Sequence, residues 1–515
     1  PPLSDSDKST LSGFSFAQPC KVGSEVDLLI ASDFYYGVVL PQYFVLDSGL
    51  VAVNTKCGIV FCGPAPEIRT QISSNVVCLS RVSTSVDQKS PANYPYEEWE
   101  TEFVITDACD EDLVLQQFRS NLQQDSISGN YIAMLPWINT MDKVDVPSNQ
   151  AAAYHRSLGM LNKFSVTDEL LGKLVDIFKE YKQRGFIEKT SQSNLRTQPV
   201  FSFLPWHAVY KETSLNTKMR VVFDCSCTQR TTGLSLNDFL WKGPNMTNNL
   251  VKILLRFRLY RVAFVADIEK AFLAVKIREE DRPFLRFFFL EDFDKPDGKL
   301  AVYNFTVNIF GSRSSTFILA AVLEHHLGKF KSPVTSDMLE NILVDNVVSG
   351  SENIKQACEY YVESRSVLKL AGMNLRQWTC NNSEVNQLAE KENVQGPPAV
   401  HVLGVKWDSV KDEIGLTEFV PSTQKKWTKR KIFSDIARVF DPYGWLSPVT
   451  IAAKLFVQEL WKLKLSWDEV VSNELSIKWL GLASELANAS EFKCQRVAQS
   501  HRDPVVVDFF LDSSL

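Results

Sequence analysis

VAFVADIEKAF (Val262–Phe272) and NILVDNVVSG (Asn341–Gly350) are the stretches on which the reading of this chain turns. Each sets an aspartate, Asp267 or Asp345, directly after an apolar, β-branched run, so each carboxylate is expected at the end of a buried strand. Two carboxylates delivered to one place by neighbouring strands suit a pair of Mg²⁺ ions, the arrangement behind in-line phosphoryl transfer. The ring of Phe272, five residues past Asp267, is then expected beside the incoming substrate. Together these features imply a nucleic-acid polymerase. The ordinary alternatives stay open at this level: Asp345-Asn346 also fits a hairpin turn, because both residues tolerate positive φ, and Asp267 also fits a strand-end cap.

Outward from these stretches, the candidates are cations and one small-residue turn. Lys218 and Arg220 stand at the start of the strand-like run that continues Val221-Val222-Phe223 and suit the triphosphate of a nucleotide, or are two solvated charges. FGSRSSTF (Phe310–Phe317), which contains Ser314, reads as a turn entering a helix whose backbone can approach a base pair or template strand. Arg256 and Arg258 in RFRLYR, and Lys429 and Arg430 in KKWTKRK, interleave charge with aromatics as a nucleic-acid surface does. A solvated face is the other reading of both. Asp47-Ser48-Gly49 spells the aspartic-protease triplet. Its nearest matching strand, Leu28–Asp33, comes before the triplet rather than after it, so Asp47 reads as a turn residue.

At 515 residues, with 45% hydrophobic and 23% charged content, the chain has the composition of several ordinary folded domains, roughly three or four. A net charge of −6 argues mildly against a protein that coats nucleic acid over its whole surface, and leaves phosphate contacts to local basic clusters. Ten cysteines without a C-x-x-C pair and six histidines without H-x-x-x-H offer no zinc spacing and read as reduced intracellular thiols and scattered imidazoles. No apolar run is long enough to predict a membrane span. The Pro-Pro start and the Asp-Ser-Ser-Leu end both read as cuts in a longer polyprotein.

Periodicity predicts β structure over residues 1–66 (Val26–Ile30, Leu50–Val53, Ile59–Phe61) and a polar linker over 67–100. Helices are predicted over Asp168–Arg184 (capped by Thr167, ended by Gly185), Asn248–Arg258, Phe317–Phe330, Ile354–Leu370, Thr428–Phe440 and Val449–Leu465. Strand-like runs fill Phe201–Asp224. The alternation implies an α+β or α/β core.

In order along the chain, VDLLIASDFYY, LVAVNTKCGIVFCGP, NYIAMLPW, FLPWHAVYKE, TKMRVVFDCS, SLNDFLWKGP, LLRFR, VADIEKAF, FGSRSSTF, LVDN, LRQW, HVLGVKW and FDPYGWLSP resemble the Pol polyprotein of BEL/Pao-type LTR retrotransposons, from about residue 24 to the end. The resemblance implies an α+β multidomain chain. Residues 1–66 would be the tail of a retropepsin-like aspartic protease and 67–154 a linker. Residues 155–420 would be the fingers and palm of a right-hand reverse transcriptase with an antiparallel palm sheet. A Pao-peptidase-like helical connection or thumb would fill 421–500, and the first strand of a truncated RNase H 501–515.

It implies an RNA-directed DNA polymerase that uses Mg²⁺ or Mn²⁺, an RNA template, a DNA primer or hybrid and deoxynucleoside triphosphates. The enzyme would work beside the rest of Pol in a cytoplasmic retrotransposon particle, with no membrane. Asp267 and Asp345 match the metal-binding aspartates, Phe272 the aromatic gate against a ribose 2′-OH, and Arg220 with Lys218 the triphosphate contacts. Ser314 and Asn346 fall in the nucleotide-binding segments, and Asp512 matches the first metal-binding acid of RNase H. Four positions depart from the family pattern: Leu343 for Tyr, Asn346 for the second Asp, Thr316 for Pro and Ala31 for Gly. Asn346 keeps the shape of aspartate and removes a charge from the metal site, so the alternative is a catalytically degenerate, nucleic-acid-binding remnant of the same element. The protease and RNase H portions are incomplete on this reading.

Overall fold

The computed structural model describes residues 111–138, 146, 148–165, 168–190, 202–210, 219–228, 232–294, 299–424 and 426–497, together with short strands at 28–29, 39–45, 51–55, 58–62 and 509–510. Lys218, Asp512, Thr167, the Asp47 triplet, Ala31 and the 67–100 linker lie outside the described residues. The chain divides into two units, residues 1–104 with 501–515, and residues 105–500.

In the first unit, strands Val39–Val45, Val51–Thr55 and Gly58–Cys62 form an antiparallel meander, and Leu28–Leu29 pairs in parallel with Phe509–Phe510. The final segment, expected as the first strand of a truncated RNase H, shares this strand pair with residues near the other end of the chain.

The second unit is built around the Val262–Ile268 strand. It lies in a four-stranded antiparallel sheet, between Asn346–Ser351 on one side and Leu375–Cys380 on the other, with Ile342–Leu343 at the edge. Its apolar run is nearly unbroken because both faces are covered. Phe264 and Ala266 face the main core, where Phe264 meets the rings of Tyr360 and Trp378 at 4.6 and 5.6 Å. Ala263 and Val265 face a second cluster with Ile253, Leu254 and Trp407. Truncating Phe264 to Ala is expected to cost about 3–5 kcal/mol.

An aromatic block is assembled from segments before and after the Val262–Ile268 strand. In Arg286–Leu290 the side chains alternate: Phe287 and Phe289 enter the main core, while Phe288 stacks on Phe203 in a smaller one. Phe178, from the Asp168–Gln183 helix, lies flat on Phe289 at 3.6 Å. That helix ends where expected, at Gly185, whose φ of 70° is left-handed. Residues up to 154, expected as a linker, instead contribute the Glu111–Ser120 helix and the Tyr131–Ala133 strand, and Phe118 and Tyr131 are buried in the main core.

Beyond the central sheet, Ala399–Val402, Val405–Asp408 and Glu413–Gly415 form a meander completed by Lys493–Gln495. A boundary at residue 420 is therefore bridged by a strand from the far end of the 421–500 segment. Arg496, fully buried, fastens the join by a two-pronged pair with Asp412 (2.7 and 2.9 Å) and by donating to the Phe257 and Arg261 carbonyls. Helices Lys429–Ile436, Ser447–Lys462 and Asn473–Ala489 pack around Ile432, Phe456 and Trp479. Among the described residues, no helix is long and apolar enough to cross a membrane.

Candidate metal and nucleotide site

The hairpin that presents Asp345 is the tightest feature of the central sheet. Leu343 pairs with Asn346, leaving Val344 and Asp345 as the two turn residues. The alternative reading of Asp345-Asn346 as a hairpin turn put positive φ on Asp or Asn, but the left-handed residue is Val344, with φ 59°. A positive φ at the first turn position suits hairpin twist and normally takes glycine; a β-branched side chain there stores roughly 1–3 kcal/mol of strain. The turn is held by the neighbouring strand: the carbonyl of Asp345, the second turn residue, accepts from the Ile268 amide at 2.8 Å.

Asp267 stands directly across from Asn346 in the antiparallel register, so Asp345, the turn residue just before Asn346, lies close enough for its charge to act on Asp267. Both are half-buried. No hydrogen bond or ion pair among the described residues reaches the Asp267 carboxylate, whereas Asp345 Oδ1 accepts from Asn346 Nδ2 at 2.8 Å. Burial, and then the charge of Asp345, push the Asp267 carboxyl up to about 6. Burial also raises Asp345, against the pull of its own backbone amide and Asn346.

On the other flank Arg376 faces Asp267 in register, and its Nε is buried with no hydrogen-bond partner among the described residues. Its Nη1 lies 3.8 Å from Glu269 Oε1. Burial pulls Glu269 upward, but hydrogen bonding from Asn374 and the charges of Arg376 and Arg184 outweigh it and hold the carboxyl below its ordinary value.

Phe272 lies on a short 3₁₀ turn, only 6% exposed, with Phe310 packed over it at 4.4 Å. It is Phe310, 51% exposed, that presents a ring to solvent. Phe310 is held by the next residue, Gly311: with φ 103° its Cα lies so close to the Phe223 carbonyl that a Cβ would sit 2.3 Å from that oxygen. Asn237 closes the same turn, donating to the Gly311 carbonyl and accepting from the Arg313 amide. The turn is thereby locked to the Met219–Phe223 strand, on which Arg220 is exposed with no partner among the described residues. Ser314 is fully buried, its hydroxyl on Ser312, and so is withdrawn from any ligand. A cavity of about 310 Å³ opens beside the hairpin tip, lined by Val344, Ile342, Thr316, Leu323, Met246 and Asn248.

The four residues read from the sequence as nucleic-acid contacts are engaged within the fold. Arg256 grips the end of the Pro333–Asn341 helix through Asn341 Oδ1 and the Glu340 carbonyl. Arg258 donates to the Arg496 carbonyl and lies over the stacked rings of Tyr443 and Trp445. Lys429 is buried against Trp461, and burial lowers its pKa. Arg430 forms a fork with Asp468 at 2.8 and 2.9 Å. Sequence reasoning did not single out Phe310, Arg376 or Glu269, although each sits inside a quoted motif: FGSRSSTF, LRQW or VADIEKAF.

The donor set fits a divalent cation. Two half-buried carboxylates lie within reach of each other's charge, one has no hydrogen-bond donor among the described residues, and their repulsion is what a 2+ charge relieves. Among the described residues no cluster of three or more acids, histidines or cysteines forms, so further ligands would have to be water or phosphate oxygens.

Residues 428–515 match the family described as Pao retrotransposon-like RNaseH-like domain. The matched segment takes in both the helices expected as a connection and the final strand expected as the start of RNase H. No curated protein matches the chain. The C-terminal part of this chain is thus similar to the RNaseH-like domain of a Pao-type retrotransposon.

Proposed function

We propose that the chain carries the polymerase core of a retrotransposon Pol polyprotein, an RNA-directed DNA polymerase working by two-metal nucleotidyl transfer. The observation that carries it is the Asp267–Asp345 pair, two carboxylates brought together by register at a strained hairpin and lacking a full set of donors. On this reading the central sheet is the palm of a right hand, and the aromatic block with the Trp206–Tyr210 and Met219–Phe223 pair is the fingers. Mg²⁺ or Mn²⁺ held by Asp267, Asp345 and the nucleotide phosphates would supply Lewis acidity toward the α-phosphate and acidify the primer 3′-hydroxyl.

The protein's own part is positioning. Phe272 is the wall below the sugar and Phe310 its outer face, so a 2′-OH meets carbon on both. Arg220, exposed and unpartnered among the described residues, meets the triphosphate. Arg376 and Glu269 hold the far flank of Asp267. Partners are an RNA template, a DNA primer and deoxynucleotides, in a particle with the rest of Pol.

One observation favours the degenerate remnant instead. The Asn346 amide occupies Oδ1 of Asp345, where the family pattern has a third carboxylate. Primer extension on an RNA template, with and without divalent metal, separates the two. Metal-dependent extension that Asp345→Asn abolishes supports the polymerase. Template binding without extension in either metal supports the remnant.

A further inference from the structure

WKLKLSW (Trp461–Trp467) ends the Ser447–Lys462 helix and turns back through Lys464, whose φ of 54° is left-handed. The turn is fastened to the start of the Lys429–Ile436 helix by main-chain contacts: the Arg430 amide donates to the Trp467 carbonyl at 3.0 Å, and Thr428 bridges to Val470. Its two indoles meet edge to face, centroids 5.0 Å apart and planes at 89°. The Lys429 ammonium lies 3.6 Å from one ring centre and 5.1 Å from the other, with no hydrogen bond or ion pair to a described residue. Despite this bracing, Trp461, Trp467 and the neighbouring Phe433 stay 43%, 41% and 43% exposed.

Three large rings held rigid in water forgo burial that would favour folding, and exposed aromatics grouped this way mark a binding surface. The surrounding charge says for what. Segments 426–431 and 461–470 hold six cations against two acids, in a chain of net −6. The Arg430–Asp468 pair spends one of each and leaves five cations against one acid. The partner is therefore a polyanion with flat apolar groups. Rings at right angles cannot both lie on one flat protein face or on a closed duplex, whose bases are already stacked. They can each take a base from a flexible strand.

We propose that this corner is a platform for single-stranded nucleic acid, with Trp461 and Trp467 stacking unpaired bases and Lys426, Lys462 and Lys464 meeting the backbone phosphates. It goes beyond the polymerase reading and does not depend on the chemistry of Asp267 and Asp345.

The test uses the full chain without divalent metal or nucleotide, so an inactive polymerase leaves the result standing. Fluorescence anisotropy follows a labelled 20-mer oligo(dT) or oligo(U), and a closed hairpin duplex, across salt concentrations. Trp467→Ala and Trp461→Ala should each weaken single-strand binding about tenfold, while Trp461→Phe keeps most of it. Lys462→Gln with Lys464→Gln, both solvent-exposed and harmless to folding, should flatten the slope of log K against log salt by about 1.4. Folded tryptophan variants that bind single strands like the parent overturn the proposal. So does an unchanged salt slope in the lysine pair, or tryptophan-dependent binding of anionic phosphatidylserine vesicles in place of oligonucleotides.

Discussion

Asp281 and Asp267 lie near each other in the chain and have opposite fates. Asp281 is fully buried, and its oxygens accept from the Leu135 amide (2.8 Å), Trp137 Nε1 (3.0 Å) and Arg278 Nε (2.7 Å). Asp267 is half-buried, has no donor among the described residues and lies within reach of a second carboxylate's charge. Asp337, behind the same sheet, belongs with Asp281: Ser349, Tyr360 and Asn341 all donate to it. A desolvated carboxylate with its donors in place is part of the scaffold. One left short of donors beside another acid is a place for a cation.

The largest effect expected from this contrast is on chemistry. Asp267→Asn or Asp345→Asn should slow primer extension at least about a thousandfold, ~4 kcal/mol in the barrier, without lowering the denaturation midpoint. A midpoint that falls sharply in either variant would place these residues with the scaffold and break the contrast.

Asp281→Ala should do the reverse. It removes the acceptor of the Leu135 amide and of the Trp137 indole N–H and one partner of the half-exposed Arg278, so unfolding by denaturant should show a loss of about 2–4 kcal/mol. Any protein that remains folded should retain its metal dependence.

A smaller effect tests Asp267 without any activity. Its native pKa of about 6 stands above the ordinary 3.8, so between these values the native state holds a proton that the unfolded chain has released. Stability of the metal-free protein therefore declines as pH rises through that window, and the deficit is complete at pH 7. Asp267→Asn should match the parent at pH 4 and exceed it at pH 7 by about 1 kcal/mol, allowing for solvent screening of a half-exposed group. Adding Mg²⁺ should close the gap by stabilising the parent alone. Equal stability at both pH values would mean that Asp267 is not under charge strain.

Much of the site was legible because register and apolar periodicity are local signals. The runs before Asp267 and Asp345 led to paired strands, and Ile354–Leu370 is helical over its expected length. Less legible was anything set by long-range partners. RFRLYR and KKWTKRK look like solvated phosphate contacts, yet Arg258 is claimed by the Arg496 carbonyl and Lys429 by Trp461. Nothing in a basic stretch says which of its charges the fold will use. The left-handed Val344 was missed for another reason: propensity points to Asp or Asn, and tertiary packing overrode it. Arg376 shows the same limit, since only sheet order brings it opposite Asp267.

The smallest and most discriminating change is Asn346→Asp. In the present hairpin the Asn346 amide donates to Asp345 Oδ1, satisfying that oxygen with a neutral partner and drawing it from any metal. A carboxylate at 346 removes this hydrogen bond and adds a third negative charge directly across from Asp267. Metal-free, that crowding should lower stability by a few tenths of a kcal/mol, as like charges opposed across strands do. Loaded, it should help the ion that depends most on a full carboxylate set. Mg²⁺ demands near-ideal octahedral oxygen ligands, whereas Mn²⁺ binds a given site more tightly and tolerates the amide better. Primer extension by the parent should therefore be faster in Mn²⁺ than in Mg²⁺, and Asn346→Asp should raise the Mg²⁺ rate a few-fold while leaving the Mn²⁺ rate nearly unchanged. A Mg²⁺ rate that stays level or falls would mean that the amide is an adapted part of the site, its hydrogen bond setting the orientation of Asp345 rather than marking a lost ligand.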